Sequence, residues 1–388
     1  MPPANRTVTR KAALITCLLL VAAALTGCIS KRVVEQPTCA AFEPRLVEPS
    51  PVPPREEINV LALSAGGPWG GYGMGFLNGW SEVQEPAERR RPRFDIAVGI
   101  STGAIFVTHA FLGPEYDAVI RNQLYSMSTP RVFRRRSIPA ILAGDSVADT
   151  QPLRRMLKEV ITPELLDRVA DAWLTEGRRL AVIAVDMDCG NPELLDLTAL
   201  ALQRDRPDRV ARYIDYLMAS SASPIAFPPV FVDGRMLVDG ALRQHIPLPR
   251  QIVELIGDHA AAPRRVNLYV IVNSPLMTIP DCVKDHVLLI ALRTSDVWTG
   301  ERSIDSVALA VLDAERRGWR ARYVVASGVP CEPLPPPDDY FNAAFMQCQY
   351  EYGHRAAVAA ESPWHEGLAG LPSADDTDGI FPHPCAKP

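Results

Sequence analysis

The sequence predicts an α/β fold around a mostly parallel central sheet, and three observations carry that expectation. Short apolar, strand-like segments alternate with helix-like stretches, the pattern of parallel strands joined by crossover helices. Twice an apolar segment runs into a glycine-rich turn and then a helix-like stretch, at Leu61–Gly75 and at Phe94–Phe106. Of the 388 residues, 47% are hydrophobic and 22% charged, which supplies material for a large core in one large domain or two ordinary ones.

In chain order, residues 1–27 read as an export signal. Arg6, Arg10 and Lys11 precede the apolar run Ala12–Leu25, which is short for a bilayer span. The run ends in Leu25-Thr26-Gly27-Cys28, which resembles the lipobox of bacterial lipoproteins, where the signal is cut and the cysteine takes lipid. An ordinary secretory signal or an uncut anchor is the competing reading. Removing residues 1–27 takes away three basic residues and no acid, moving the formal charge from −5 to −8. Residues 28–57 carry Pro37, Pro44, Pro49, Pro51, Pro53 and Pro54 among polar neighbours and read as an extended tether, with a reach of up to roughly 90 Å.

The folded part is expected from residue 58. Ile58–Leu63, Phe94–Ile100, Leu180–Asp186 and Val266–Val272 are short apolar runs of buried-strand length. Helices are expected over Gly73–Glu82, Gly103–Leu112, Pro152–Val160 and Val210–Ala219, and Pro152 suits a first helical turn. A domain over 58–250 is followed by an extension, 251–388, that completes the fold. From about Thr299 that extension alternates helical runs with proline-rich breaks such as "PCEPLPPPDDY", an appendage packed on the core, and 373–388 reads as a weakly ordered tail. No internal repeat is present.

The net charge of −5 argues against a nucleic-acid partner, which needs a basic face. Besides Cys17 and Cys28 there are six cysteines: Cys39, Cys189, Cys282, Cys331, Cys348 and Cys385. In an exported chain they permit disulfides, with 15 possible connectivities, and the absence of a CxxC pair makes a zinc site a poor reading.

The glycine-rich run "LALSAGGPWGGYGMG" offers bare backbone N–H groups to an anion, and a nucleotide phosphate is the first candidate. A P-loop requires Lys-Ser or Lys-Thr after its last glycine, and none is present; the G-x-G-x-x-G spacing of a dinucleotide site is missing too. The second turn, Gly99-Ile-Ser101-Thr-Gly103, is G-x-S-x-G between a strand and a helix, as a nucleophile elbow demands. Ser101 is the candidate nucleophile, and it needs a base. His109 lies eight residues further along a helix, about 12 Å away along its axis, and cannot reach. His259, His286, His354, His365 and His383 have no catalytic context. Two candidates remain: Asp239, which ends an apolar strand-like segment beside Gly240, and His245. Asp-Gly is also a common turn dipeptide.

The glycine loop, G-x-S-x-G and Asp239-Gly240-Ala241, in this order, resemble the patatin-like phospholipases. "DTQPLRRML" at Asp149–Leu157 and "ASSASPIAFPPV" at Ala219–Val230 are similar to that family as well, and the resemblance spans about 58–250. "YEYGHRAAVA" and Trp364 resemble the C-terminal part of its bacterial lipoprotein members. The resemblance implies a three-layer α/β/α fold, Ser101 as nucleophile, Asp239 as its base with no histidine, and the N–H groups of Gly66 and Gly67 as oxyanion hole. Gly70, Gly99, Gly103 and Gly240 are the motif glycines. Ala65 stands where the family has its first glycine, and Trp69 where it often has a cation, so any contribution of that cation is absent. Arg131 and Arg134-Arg135-Arg136 form a basic run that reads as a solvated loop or, alternatively, as a contact for anionic lipid head groups.

The function expected is a serine acyl hydrolase acting on lipid or fatty-acyl esters, needing neither metal nor organic cofactor. It would be anchored by Cys28 in the bacterial cell envelope. Ile29, where an aspartate would retain the chain, points to the outer membrane facing the periplasm. The rivals are a Ser-His-Asp esterase using His245 and a non-catalytic, lipid-binding envelope lipoprotein.

Overall fold

The computed structural model describes residues 39–40, 46, 52, 55–256, 265–326, 331, 334–369 and 371. The signal at 1–27, Cys28, most of the tether and the 373–388 tail lie outside the described residues. The strands of the main sheet are β1 (Glu57–Leu63), β2 (Ile96–Gly99), β3 (Arg179–Asp186), β4 (Asn191–Asp196), β5 (Val230–Val232), β6 (Arg235–Asp239), β7 (Arg265–Val272), β8 (Arg320–Val325) and β9 (His365–Glu366). Five of them, in the spatial order β8-β7-β1-β2-β3, are parallel neighbours. β4, β6 and β9 add antiparallel pairings at the margins, and β5 pairs with β6.

The central strands are buried on both faces, which is why they read as continuous apolar runs. Successive side chains still alternate between faces. In β1, Leu61 and Leu63 enter one core while Val60 and Ala62 enter the other. The first core is closed by α1 (Gly70–Glu82), α2 (Thr102–Leu112), α3 (Asp117–Ser126), α4 (Gln151–Val160), α5 (Pro163–Glu176) and α6 (Arg209–Ser220). The second is closed by α7 (Pro249–Ile256) and by Val307, Ala310, Val311 and Ala314 of α8 (Val287–Arg316). Helices on both faces of one sheet make three layers. The sheet is α/β and parallel at its centre, as the sequence predicts.

The four expected strands and four expected helices all occur, with ends shifted by up to three residues. The chain beyond 250 contributes β7, β8 and β9 to the same sheet, and α9 (Ala343–Val358) packs along α1. That packing is close because Gly75 and Gly353 carry no side chain: a Cβ at Gly75 would stand 1.9 Å from the Tyr350 carbonyl oxygen. Two disulfides join described residues on both sides. Cys39–Cys189 ties the tether to the β3–β4 turn, and Cys331–Cys348 ties the proline-rich segment to α9. Cys282 is also disulfide-bonded. Among the described residues no helix is long and apolar enough to cross a membrane.

Candidate active site

β2 ends at Gly99 and α2 begins at Thr102, so the chain must reverse within two residues. Ser101 takes the bend at φ 53°, ψ −122°, a conformation that side-chain-bearing residues rarely adopt and that costs about 1–3 kcal/mol. Its neighbours hold it there. The Ser101 N–H donates to the Ser220 carbonyl at 3.1 Å, and Ser221 Oγ donates to the Ser101 carbonyl at 3.0 Å. The flanking glycines are required by space. A Cβ at Gly103 would lie 2.6 Å from the carbonyl oxygens of Leu63 and Ser64, and one at Gly99 would lie 2.7 Å from the Gly103 backbone.

Asp239 meets Ser101 because both strands that carry them use the same edge of β3. Val182 pairs with Gly99 of β2 on one side and Leu195 of β4 on the other. Two residues on, Ala184 pairs with Asp239 of β6 and with Glu193 of β4. β2 and β6 therefore follow one another along the edge opposite β4. Ser101, two residues past Gly99, comes level with Ala184 and hence with Asp239. That register sets the Ser101 hydroxyl beside the Asp239 carboxylate, near enough to favour its charged form. Asp239 is only 4% exposed, and its Oδ1 accepts the Ala241 N–H at 2.8 Å. Burial pushes its pKa up to about 7, against the smaller opposing pull of the Ser101 hydroxyl and the Ala241 N–H. An ionised carboxylate at that pKa accepts a proton near neutral pH.

The glycine loop lies at the carboxyl ends of β1 and β7, where open parallel sheets place their ligands. Asn273, just past β7, clamps it: the Asn273 N–H donates to Ser64 Oγ at 2.6 Å and its Nδ2 donates to the Ser64 carbonyl at 2.9 Å. A Cβ on Gly66 would fall 1.5 Å from the Asn273 carbonyl oxygen, so only glycine fits. Gly67 turns at φ 53° into a short 3₁₀ segment, Gly67–Trp69, that leads into α1 at Gly70. Neither the Gly66 nor the Gly67 N–H donates to an acceptor among the described residues. Both are available to an anion, at the positive end of α1. Gly240 follows Asp239 in a short 3₁₀ turn.

The two departures from the family pattern have separate explanations. Ala65 is 3% exposed and its N–H donates to the His245 carbonyl at 3.0 Å. Trp69 is 7% exposed and packs edge-on against Phe345 of α9, with ring centroids 4.8 Å apart. Its side chain belongs to the core.

His245 is buried, its backbone N–H accepted by Ser306 Oγ at 2.9 Å, and its Nδ1 has no hydrogen-bond partner. Burial lowers its pKa to about 4. His109 is likewise buried in α2, with its pKa lowered to about 4 by desolvation. His354 pairs with Glu82 at 3.0 Å, His286 precedes α8 and His365 lies in β9; His259 and His383 lie outside the described residues. In the basic run, Arg131 pairs with Glu159 at 2.9 Å and Arg136 with Asp145 at 3.0 Å, while Arg134 and Arg135 are exposed in a two-stranded ladder with Ala148–Asp149. Among the described residues no cluster of His, Cys, Asp or Glu could hold a metal ion. Ser220 and Ser221, which hold the elbow, lie in the segment "ASSASPIAFPPV" that resembles the family, whereas Asn273, which holds the loop, carries no signal in the sequence beyond standing at the end of β7.

Residues 61–250 match the family model described as Patatin-like phospholipase. A cUMP-AMP-activated phospholipase from Escherichia coli is 34% identical over 128 residues, covering 30% of this chain and 35% of that protein. The chain thus matches about a third of the length of this relative. VipD from Legionella pneumophila, a crystal structure, aligns over 78% of this chain and 67% of its own at 12% identity and a TM-score of 0.29, a likeness too low to argue from. On sequence and fold together, the chain carries a patatin-like phospholipase domain over residues 61–250.

Proposed function

We propose that this protein is a serine acyl hydrolase that cleaves fatty-acyl esters of lipids through an acyl-enzyme on Ser101. The observation that carries the reading is the shared edge of β3, whose register sets the Ser101 hydroxyl beside the buried Asp239 carboxylate. Asp239 takes the Ser101 proton as Oγ attacks the ester carbonyl. The oxygen that becomes negative is held by the Gly66 and Gly67 N–H groups, and one such donor is worth roughly 10²–10³ in rate. Collapse of the intermediate breaks the C–O bond to the alcohol, which leaves with the proton from Asp239. Water then gives a proton to Asp239 and attacks the acyl-enzyme; the Oγ–acyl bond breaks, the Asp239 proton returns to Ser101 Oγ, and the fatty acid leaves. The family and the Escherichia coli relative favour a phospholipid or similar ester as substrate.

Two disulfides fit an oxidising compartment. They support export, and the sequence Leu25-Thr26-Gly27-Cys28 supports anchoring at Cys28 in the cell envelope; Cys28→Ser should release the protein from the membrane fraction. Hydrolysis of a chromogenic fatty-acyl ester and labelling by a fluorophosphonate test the chemistry. Ser101→Ala should abolish both, and retained turnover in that variant would refute the proposal.

A further inference from the structure

We infer that Tyr340, contributed by the extension beyond the family domain, supplies a third hydrogen-bond donor to the pocket that receives the substrate's carbonyl oxygen. The inference rests on the acyl-hydrolase reading above. Its basis is the contact between the Tyr340 phenol and the oxyanion loop. The position a Cβ would take on Gly67 lies 2.9 Å from the Tyr340 hydroxyl oxygen, with the ring carbons at 3.2 and 3.4 Å. The phenol thus occupies the space that a side chain at Gly67 would have filled, beside one of the two free N–H groups. It is near enough to the nucleophile's base to feel its charge. The tyrosine is 43% exposed; partial burial of its hydroxyl first, then the Asp296 and Asp239 carboxylates, raise its pKa, so it keeps its proton at neutral pH. The hydroxyl has no hydrogen-bond partner among the described residues.

The segment that carries Tyr340 is anchored on both sides. Asp339 accepts from Thr129 Oγ1 at 2.9 Å and from Asn342 Nδ2 at 2.6 Å. Thr129 Oγ1 in turn accepts the Phe341 N–H at 2.9 Å. Phe341 is buried against Phe133, Asn342 caps α9 through the Phe345 N–H, and Cys331–Cys348 ties the preceding strap to the same helix. A donor held this firmly needs little reorganisation when charge develops beside it, the property that gives oxyanion donors their effect. Trp69 is committed to packing against Phe345 and does not share that task.

Tyr340→Phe removes the donor and keeps the ring. With a chromogenic fatty-acyl ester, kcat should fall by about 10²-fold, KM should stay within about threefold, and fluorophosphonate labelling of Ser101 should slow in parallel. Tm should not change. Wild-type turnover with a Tyr340→Phe kcat within threefold, or a loss of kcat matched by a loss of Tm, would overturn the inference and leave the acyl-hydrolase reading standing. A raised KM at unchanged kcat would overturn it too, assigning the phenol to substrate binding. A wild-type protein that neither turns over nor labels would overturn both.

Discussion

Replacing Asp239 by asparagine should stabilise the protein while removing its activity, on a common pH scale. The Asp239 carboxyl titrates near 3.8 in an unfolded chain and at about 7 in the fold, because burial disfavours its charge. Between those values the folded state holds a proton that the unfolded state has lost. Folding stability therefore falls as pH rises through this window, by 1.36 kcal/mol for each pH unit. The loss reaches about 4 kcal/mol by pH 7 and levels off above it. An amide cannot titrate, so Asp239→Asn escapes the loss. Urea unfolding of both proteins from pH 4 to pH 8 measures it: the stability difference should shift in the variant's favour by about 4 kcal/mol across the window. Over the same range wild-type kcat/KM should rise about tenfold per pH unit below 7 and level above it, while the variant loses at least about 10²-fold, as removal of a general base does. A difference in stability that is flat with pH, or a wild type that gains on the variant as pH rises, would refute the account of Asp239 as a buried carboxylate.

Gly66→Ala should cut kcat by about 10²-fold or more, since the added Cβ must displace the loop from the Asn273 carbonyl 1.5 Å away; near-normal turnover would dissociate the loop from catalysis. Trp69→Arg should lower stability by at least about 3 kcal/mol, because it puts a charge beside Phe345 in place of a packed ring, and thermal unfolding reads it directly. A stable and faster Trp69→Arg enzyme would mean that position 69 faces substrate. His245→Gln should keep kcat within about threefold, since Asp239 is the group that the register of β3 sets beside Ser101; a 10³-fold fall would point to a Ser-His-Asp triad.

What could be read from the sequence follows from where each constraint lies. β1 was legible to within one residue because a strand buried on both faces is an unbroken apolar run that stops at a glycine loop. β4, with the sequence "NPELLD", and β8, with "RARYVV", carry charged and polar residues at the margins of the sheet, and over six residues that pattern looks like a turn or a helix end. Ser101 and Asp239 stood out because a sharp turn needs glycine beside it, and that need is local. That they share an edge of β3 was not legible, since it depends on pairings between segments far apart in the chain. Asn273 and Tyr340 owe their places to contacts across the fold, and nothing in "VNSP" or "PPPDDY" announces them.

The edge of β3 works as a ruler. Ser101 and Asp239 are spaced by backbone hydrogen bonds to one strand, with the end of α6 bracing both, so the turns between the helices of residues 113–178 and the turn at 202–208 hang outside the measured interval. Those segments can lengthen, shorten or exchange their surface residues without altering how far the hydroxyl stands from the carboxylate. What the enzyme accepts and how it attacks are thereby uncoupled. On the proposed mechanism, a change of substrate preference needs no retuning of Ser101 and Asp239, and heat should silence them only when the sheet itself gives way.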